Sequence, residues 1–122
     1  MTGPVSSVLL VEDEALIGID AEDMLRGCGV EDVVLVSSYE DAKAQIDARR
    51  FDLAIFDLDL DGVSSLPLVE ALAASGVPIV VASGYDDPPA ILNSLGVPLV
   101  QKPLSLARLK LAAQETGTRL PC

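Results

Sequence analysis

The segment IFDLDLDG at residues 55–62 places three aspartates two residues apart and ends with a glycine. Carboxylates in this arrangement, after two large apolar residues, fit three kinds of chemistry. The segment could begin a calcium-binding loop, carry the nucleophile of an aspartate phosphatase, or end a strand with an aspartate that accepts a phosphoryl group. The rest of the sequence must decide what Asp57, Asp59 and Asp61 do.

Other side chains capable of chemistry also follow short apolar runs. Glu12 and Asp13 come directly after SVLLV, Ser83 comes after PIVVA, and Lys102 comes after PLVQ. The sequence has no histidine, which excludes Ser-His-Asp and Cys-His catalysis as well as histidine metal ligands. The remaining chemistry is that of carboxylates, hydroxyls and lysine.

Five apolar runs alternate with segments of helical character. The runs are SVLLVE (7–12), VVLV (33–36), LAIFD (53–57), PIVVAS (78–83) and PLVQ (98–101). All but the last are continuous and rich in β-branched residues, as expected for parallel strands buried on both faces. The predicted helices cover residues 14–26, 38–50, 65–75, 88–95 and 104–116. Five such βα units predict an α/β fold, a doubly wound five-stranded parallel sheet of flavodoxin-like (βα)5 type.

The common strand order for this fold is 2-1-3-4-5, with ligands at the carboxyl edge between the first and third strands. Glu12 and Asp13 then end the first strand beside Asp57, which ends the third. Ser83 ends the fourth strand, on the other side of the third, and Lys102 follows the fifth. The predicted topology therefore brings the reactive side chains to one edge of the sheet.

Composition predicts one small acidic domain. The 122 residues suffice for a single core, with no visible linker or repeat, so we expect one domain over residues 1–122 and no output domain. The formal net charge of -11 argues against a nucleic-acid surface, because phosphate contacts need clustered Lys and Arg.

The sequence also bears on the compartment. No apolar run approaches the ~18 residues that a membrane span needs, and the first residues lack the pattern of a secretory signal. Cys28 and Cys122 are too few and too unpatterned for a disulfide framework or a zinc site. We therefore expect a cytoplasmic protein with reduced cysteines.

A calcium loop is disfavoured by spacing. An EF-hand loop that begins D-x-D-x-D-G needs a bidentate Glu at its twelfth position, and counting from Asp57 that position is Leu68. A strand also precedes the run where an EF-hand has a helix. Gly62 instead fits a turn with positive φ.

A phosphatase of the haloacid dehalogenase-like type remains an alternative. Its D-x-D motif follows an apolar strand, as FDLD at 56–59 does, and a later serine, lysine and acidic pair could match its other motifs. However, Asp61 occupies a place usually held by Thr or Val. The lysine also follows the acidic pair instead of preceding it, and the third strand, not the first, carries the aspartate.

The sequence resembles a receiver domain of bacterial two-component signalling over about residues 5–115. The resemblance rests on VLLVEDE with Glu12-Asp13, on Asp57 after LAIF, on Ser83 after PIVVA and on Lys102-Pro103. Each motif is weak alone, but all four in this order and at these separations are specific. DLDLDGVSSLPLVEAL (57–72) and VVASGY (80–85) further resemble the single-domain "FAT GUY" receivers of alphaproteobacteria.

The resemblance implies a magnesium site among the carboxylates. Clustered carboxylates repel one another, and a hard cation such as Mg²⁺ relieves this repulsion. The implied direct ligands are Asp13, Asp57 and the backbone carbonyl of Asp59, with Glu12 acting through water. The side chains of Asp59 and Asp61 are expected to be loop carboxylates without a ligand role.

The resemblance also implies a phosphorylation switch. Asp57 would attack the phosphoryl group of a phosphohistidine, and Lys102 would neutralise the phosphoryl oxygens. Ser83 would bond the group after transfer and move a two-state loop.

Two further expectations concern the residues around the switch. A cis peptide bond is implied between Lys102 and Pro103. Receivers usually have an aromatic residue three positions before the lysine, where this sequence has Leu99. Aromatic gating at that position is therefore in doubt, and Tyr85 could take over part of the role.

We therefore interpret the chain as a single-domain response regulator that signals by protein–protein interaction. Its expected partners are a histidine kinase or histidine phosphotransferase and a downstream protein target, with no nucleic acid and no membrane. An alternative is a phosphate sink or shuttle. We do not expect an enzyme beyond self-catalysed phosphorylation and dephosphorylation.

Overall fold

The alternating apolar and helical segments fold as βα units in the computed structural model, which describes residues 4–84 and 90–122. The strands are β1 (Ser7–Val11), β2 (Asp32–Val36), β3 (Leu53–Asp57), β4 (Asp59–Leu60), β5 (Val63–Ser64), β6 (Ile79–Ser83) and β7 (Leu99–Gln101). The helices are α1 (Ala15–Cys28), α2 (Tyr39–Ala48), α3 (Leu66–Ala74), α4 (Ile91–Leu95) and α5 (Leu106–Glu115).

Five strands form a parallel sheet in the order β2-β1-β3-β6-β7. The fourth and fifth predicted strands are β6 and β7, so the predicted order 2-1-3-4-5 is confirmed. Val11 pairs with Phe56 and Asp57 pairs with Ala82, which brings the carboxyl ends of β1, β3 and β6 side by side.

The sheet is buried on both faces because side chains alternate along each strand. In β1, Val8 and Leu10 pack in a cluster with residues of α1 and α5. Leu9 and Val11 face the opposite cluster, which includes residues of α2, α3 and α4. The helices thus form one layer on each side of the sheet, and the core consists of aliphatic side chains with Phe51 and Phe56.

Local signals set the helix ends close to their predicted positions. Ser38 caps α2 by accepting a hydrogen bond from the Asp41 N–H at 3.1 Å. Pro67 lies in the first turn of α3, where a missing N–H costs little. The helix predicted at 88–95 is observed from Ile91, and residues 88–89 lie outside the described residues. No helix in the described part of the chain has the length and apolarity to cross a membrane.

The segment between β3 and α3 differs from the expected loop, because β4 and β5 pair as an antiparallel hairpin. Asp61 and Gly62 form its two-residue turn with φ values of 54° and 85°. Two successive positive φ angles are typical of a type I′ turn, for which Asp-Gly is a preferred sequence. The predicted positive φ of Gly62 is thus confirmed.

The expectation of unpaired cysteines is wrong in this structure, where Cys28 and Cys122 form a disulfide. Cys28 ends α1, and the segment after α5 returns to it. Leu120 is buried in the same core cluster as Cys28, and Arg119 accepts a hydrogen bond from the Val5 N–H at 2.9 Å. Packing of this returning segment brings together two cysteines that are 94 positions apart.

Candidate functional site

Three carboxylates meet at the carboxyl edge of the sheet, as the predicted topology requires. Glu12 and Asp13 follow β1, and Asp57 is the last residue of β3. Each offers an oxygen atom within 4.8 Å of the others. Glu12 and Asp57 are buried, with exposures of 4% and 8%, whereas Asp13 is half-buried.

Lys102 joins this cluster from β7. Its Nζ lies 2.7 Å from Glu12 Oε1 and 2.9 Å from Asp57 Oδ2. Its backbone N–H donates to the Ser83 carbonyl at 2.8 Å, which fixes the start of the segment after β7. The Lys102–Pro103 bond is cis, as expected. The ammonium therefore contacts both buried carboxylates.

Burial dominates the electrostatics of Glu12. It raises the pKa of Glu12 from 4.5 to about 7, although the hydrogen bond from Lys102 opposes the shift. Burial acts against the charge of Lys102, but hydrogen bonds to Glu12 and Asp57 outweigh it and raise the lysine pKa above 10.5. Burial would raise the pKa of Asp13, but hydrogen bonds with Glu12, Asp57 and the Asp61 N–H lower it on balance.

The hairpin lies against the carboxylates through its backbone. The Asp61 N–H donates to Asp13 Oδ2 at 3.0 Å, and the Asp59 N–H donates to Asp57 Oδ1 at 3.2 Å. The Asp59 side chain accepts from the Gly62 N–H at 2.9 Å and so belongs to the turn. The Asp61 N–H is a contact that the sequence analysis missed.

The proposed switch residues surround the ends of β6 and β7. Ser83 is buried at the end of β6, one position beyond the residue paired with Asp57. Leu99 is half-buried in β7 and packs against the cluster on the α2–α4 side, whereas Pro103 is exposed. Tyr85 lies outside the described residues.

Ser65 is a second residue that sequence reasoning missed. It is fully buried, and its hydroxyl donates to the backbone carbonyl of Asp57 at 2.6 Å. Serine next to a proline-containing helix start is a common capping pattern, so the residue types alone do not indicate this longer contact.

The site has room and ligands for small ions. A cavity of about 240 Å³ is lined by Asp13, Glu14, Asp57, Asp59, Gly84 and Lys102. The carboxylate oxygens of Glu12, Asp13 and Asp57 form a hard-oxygen set of the kind that Mg²⁺ prefers. The residues present thus fit a magnesium ion, and the cavity can admit a phosphoryl group beside the lysine.

The family model described as "response regulator receiver domain" matches residues 8–114. The chain belongs to this family. Receiver domains act in two-component signalling, bind Mg²⁺ through an acidic pocket and are generally not classical enzymes.

Solved structures agree with this assignment. The solution structure of SdrG from Sphingomonas melonis Fr1 is 31% identical, with a TM-score of 0.83 and coverage of 96% of this chain and 100% of that chain. The BeF3-activated conformation of SdrG from Pseudomonas melonis Fr1 gives 31% identity and a TM-score of 0.76, covering 93% and 98%. A CheY-like receiver domain from Methylobacillus flagellatus gives 27% identity and a TM-score of 0.78, covering 92% and 98%. No curated protein matches the sequence significantly.

The receiver assignment confirms the predicted family and fold. The finer resemblance to the FAT GUY group stays a prediction, as do the roles of the individual site residues. Receiver domains in general interact with histidine kinases or phosphotransfer proteins.

Proposed function

We propose that this receiver accepts a phosphoryl group on Asp57 from the phosphohistidine of a histidine kinase or histidine phosphotransferase. The proposal rests above all on Lys102, whose ammonium lies 2.9 Å from Asp57 Oδ2 beside a cavity of about 240 Å³. A fixed cation at this place neutralises charge as it spreads over the phosphoryl oxygens during transfer.

In the transfer, a carboxylate oxygen of Asp57 bonds to phosphorus as the P–N bond of the donor phosphohistidine breaks. The electron pair of that bond returns to the imidazole nitrogen, and Asp57 becomes an acyl phosphate. When bound, Mg²⁺ would add positive charge at the phosphoryl oxygens, held by Asp13, Asp57 and the Asp59 carbonyl directly and by Glu12 through water.

Ser83 would act after the transfer. Its hydroxyl would bond the phosphoryl group, because it lies buried at the end of the strand next to β3. The movement would change the surface near Leu99 and Pro103, and Tyr85 would contribute to the same switch. A downstream protein that binds this surface would receive the signal.

The direct test is mass spectrometry after treatment with a small phosphodonor and Mg²⁺. We expect a single phosphate adduct in the wild type and none in Asp57→Ala. Asp61→Asn is the matched control, because this exposed carboxylate lies four residues away and Asn tolerates a positive φ. A full adduct in Asp57→Ala would show that another residue is the acceptor.

Two alternatives make different predictions. A phosphate sink or shuttle would accept phosphate from a kinase and pass it on or lose it without binding a downstream protein. Phosphotransfer profiling against the histidine kinases of the host, followed by binding assays with the phosphorylated protein, distinguishes sink from signal. A haloacid dehalogenase-like phosphatase would release phosphate from a generic phosphomonoester over many turnovers, whereas we expect no sustained turnover.

We also propose that the receiver acts in the cytoplasm. This location follows from the donor, because histidine kinases take their phosphoryl groups from cytoplasmic ATP. The Cys28–Cys122 disulfide is unusual for a reducing compartment.

A further inference from the structure

Ser65 connects three parts of the site from a fully buried position. Its hydroxyl donates to the Asp57 carbonyl at 2.6 Å, and its backbone N–H donates to the Leu58 carbonyl at 2.9 Å. Its own carbonyl accepts hydrogen bonds from the N–H groups of Leu68 and Val69 in α3. One residue thus holds the end of β3, the base of the hairpin and the start of α3.

The hydroxyl contact is different from ordinary local pairing of a helical serine. Ser75 donates to the carbonyl of Ala71, four residues back along its own helix, at 3.1 Å. Ser65 instead reaches back eight residues to the main chain of Asp57. The hydroxyl of Ser65 thus links the start of α3 to the end of β3.

The hydrogen bond from Ser65 affects the geometry of Asp57, the proposed phosphoryl acceptor. The bonds of Ser65 to Asp57 and Leu58 close the excursion of residues 58–64 at its base. Within that excursion, the Asp59 N–H contacts the Asp57 carboxylate and the Asp61 N–H contacts Asp13. The orientation of the Asp57 carboxylate therefore depends on a backbone segment that Ser65 holds in place.

We propose that Ser65 is a positioning residue for phosphorylation of Asp57. It acts through the main chain, because its hydroxyl contacts the Asp57 carbonyl and not the carboxylate. The inference rests on the proposed function, since it assumes that Asp57 accepts phosphate. Displacing a reacting group by about 1 Å can slow a reaction by up to about a hundredfold, so a lost positioning bond has a measurable effect.

The test compares Ser65→Ala with Ser64→Ala, which removes the neighbouring hydroxyl. The Ser64 side chain is exposed and accepts a hydrogen bond from the Leu66 N–H at 3.2 Å, without contacting Asp57. Phosphorylation rates are measured at saturating Mg²⁺ and phosphodonor, at a temperature where all variants are fully folded. We expect Ser65→Ala to be roughly tenfold slower and Ser64→Ala to match the wild type.

A spectroscopic readout separates positioning from stability. The carbonyl ¹³C resonance of Asp57 in metal-free protein reports loss of the hydrogen bond, and we expect it to shift in Ser65→Ala but not in Ser64→Ala. If Ser65→Ala does not fold, Ser65→Cys replaces it, because a thiol of similar size is only a weak donor. We expect the same shift and slowing in that variant.

Wild-type rate and an unchanged Asp57 carbonyl resonance in the folded variant would overturn the positioning role. A lower stability with an unchanged rate would also overturn it, since Ser65 would then serve the fold alone. Failure of both the wild type and Ser64→Ala to accept phosphate would instead refute the proposed function, and the positioning role with it.

Discussion

At the residue scale, Lys102 sets the electrostatics of the site. Its ammonium contacts two carboxylates that are both largely removed from water. Burial raises the pKa of Glu12, and the one ammonium shared by the two buried carboxylates only partly opposes that rise. The pocket thus favours binding of a further cation or of a proton.

Glu12 should make the stability of the metal-free protein fall as pH rises from about 5 to 7. Its carboxyl titrates at 4.5 in an ordinary setting and at about 7 in the fold, so folding takes up a proton within this window. The stabilisation that comes from this proton uptake is complete below pH 4.5 and is lost as pH rises through the folded pKa of about 7. Urea unfolding in EDTA should show that the free energy of unfolding falls by about 2 kcal/mol between pH 5 and pH 7.

The sequence makes this window easy to interpret, because it contains no histidine. Hydrogen bonds from Ser6, chiefly from its backbone N–H, lower the pKa of Asp52 below the ordinary value of 3.8. This carboxyl group therefore titrates outside the pH window of Glu12. Glu12→Gln should abolish the fall, whereas Glu14→Gln, two residues on and exposed, should keep it. A fall that persists in Glu12→Gln would assign it to another group.

Substitutions of Lys102 and of Ser83 should have different effects, the first on phosphoryl transfer and the second on the conformational switch. Lys102→Ala should slow phosphorylation, because the cation beside Asp57 is lost. Ser83→Ala should still accept phosphate but fail to reach the activated state. A hydrogen bond to a charged group contributes ~1.5–3 kcal/mol, comparable to the free energy that separates two switch states.

Amide chemical shifts with and without beryllofluoride measure this difference. In the wild type we expect broad changes over residues 82–102, and in Ser83→Ala we expect changes confined to the surroundings of Asp57. A full wild-type pattern in Ser83→Ala would reduce Ser83 to a strand-end cap. The switch would then have to be sought at Tyr85 or elsewhere.

The sequence predicted the members of the site where residue type and strand end coincide. Glu12, Asp13, Asp57 and Lys102 follow short apolar runs, and the order of parallel strands is enough to bring them together. Ser65 could not be predicted in the same way. Its contact depends on how the chain returns to β3 after the hairpin, and no periodicity encodes that path.

At the element scale, the β4–β5 hairpin is the main departure from the predicted fold. Asp-Gly is a strong turn signal, but each strand has only two residues, which is too short for an alternating pattern. The five long runs were predictable because two buried faces demand continuous apolar sequence. The hairpin is held by its turn and by the contact of Asp61 with Asp13, neither of which needs such a pattern.

Gly62→Ala should weaken this hairpin. Gly62 has φ of 85°, where a Cβ atom costs roughly 1–2 kcal/mol. Because the Asp61 N–H contacts Asp13, the substitution should also weaken Mg²⁺ binding, measured by titration calorimetry.

Gly27→Ala is the matched control for this substitution. Gly27 lies within α1, and a Cβ atom there would meet no atom within 4 Å. Alanine at this position should leave Mg²⁺ binding unchanged and raise helix stability by about 0.5–1 kcal/mol. Equal Mg²⁺ affinity in Gly62→Ala and the wild type would show that the geometry of the turn does not influence the metal site.

At the scale of the whole molecule, the disulfide joins distant parts of one face. Cys28 ends α1, and the segment after α5 packs Leu120 into the same core cluster. The Val5 N–H binds the Arg119 carbonyl, so the approach to β1 is part of the same arrangement. The pair was not predictable from the sequence, because two cysteines 94 positions apart meet only once α1 and α5 lie in one layer.

Reduction of this disulfide should destabilise the protein without changing its fold. In the chain-entropy account, a link closing a loop of about 100 residues removes ~4–5 kcal/mol of unfolded-state entropy, and measured effects are often smaller. Urea unfolding of the wild type should therefore shift to lower denaturant when dithiothreitol is added. Cys28→Ser and Cys122→Ser should each resemble the reduced wild type and should not respond to dithiothreitol.

An unresponsive wild type that alkylation shows to hold two free thiols would restore the interpretation of a reduced protein. A disulfide-bonded wild type that alkylation shows to be fully reduced by dithiothreitol, yet that unfolds at an unchanged urea concentration, would mean that apolar contacts alone keep α1 and the segment after α5 packed.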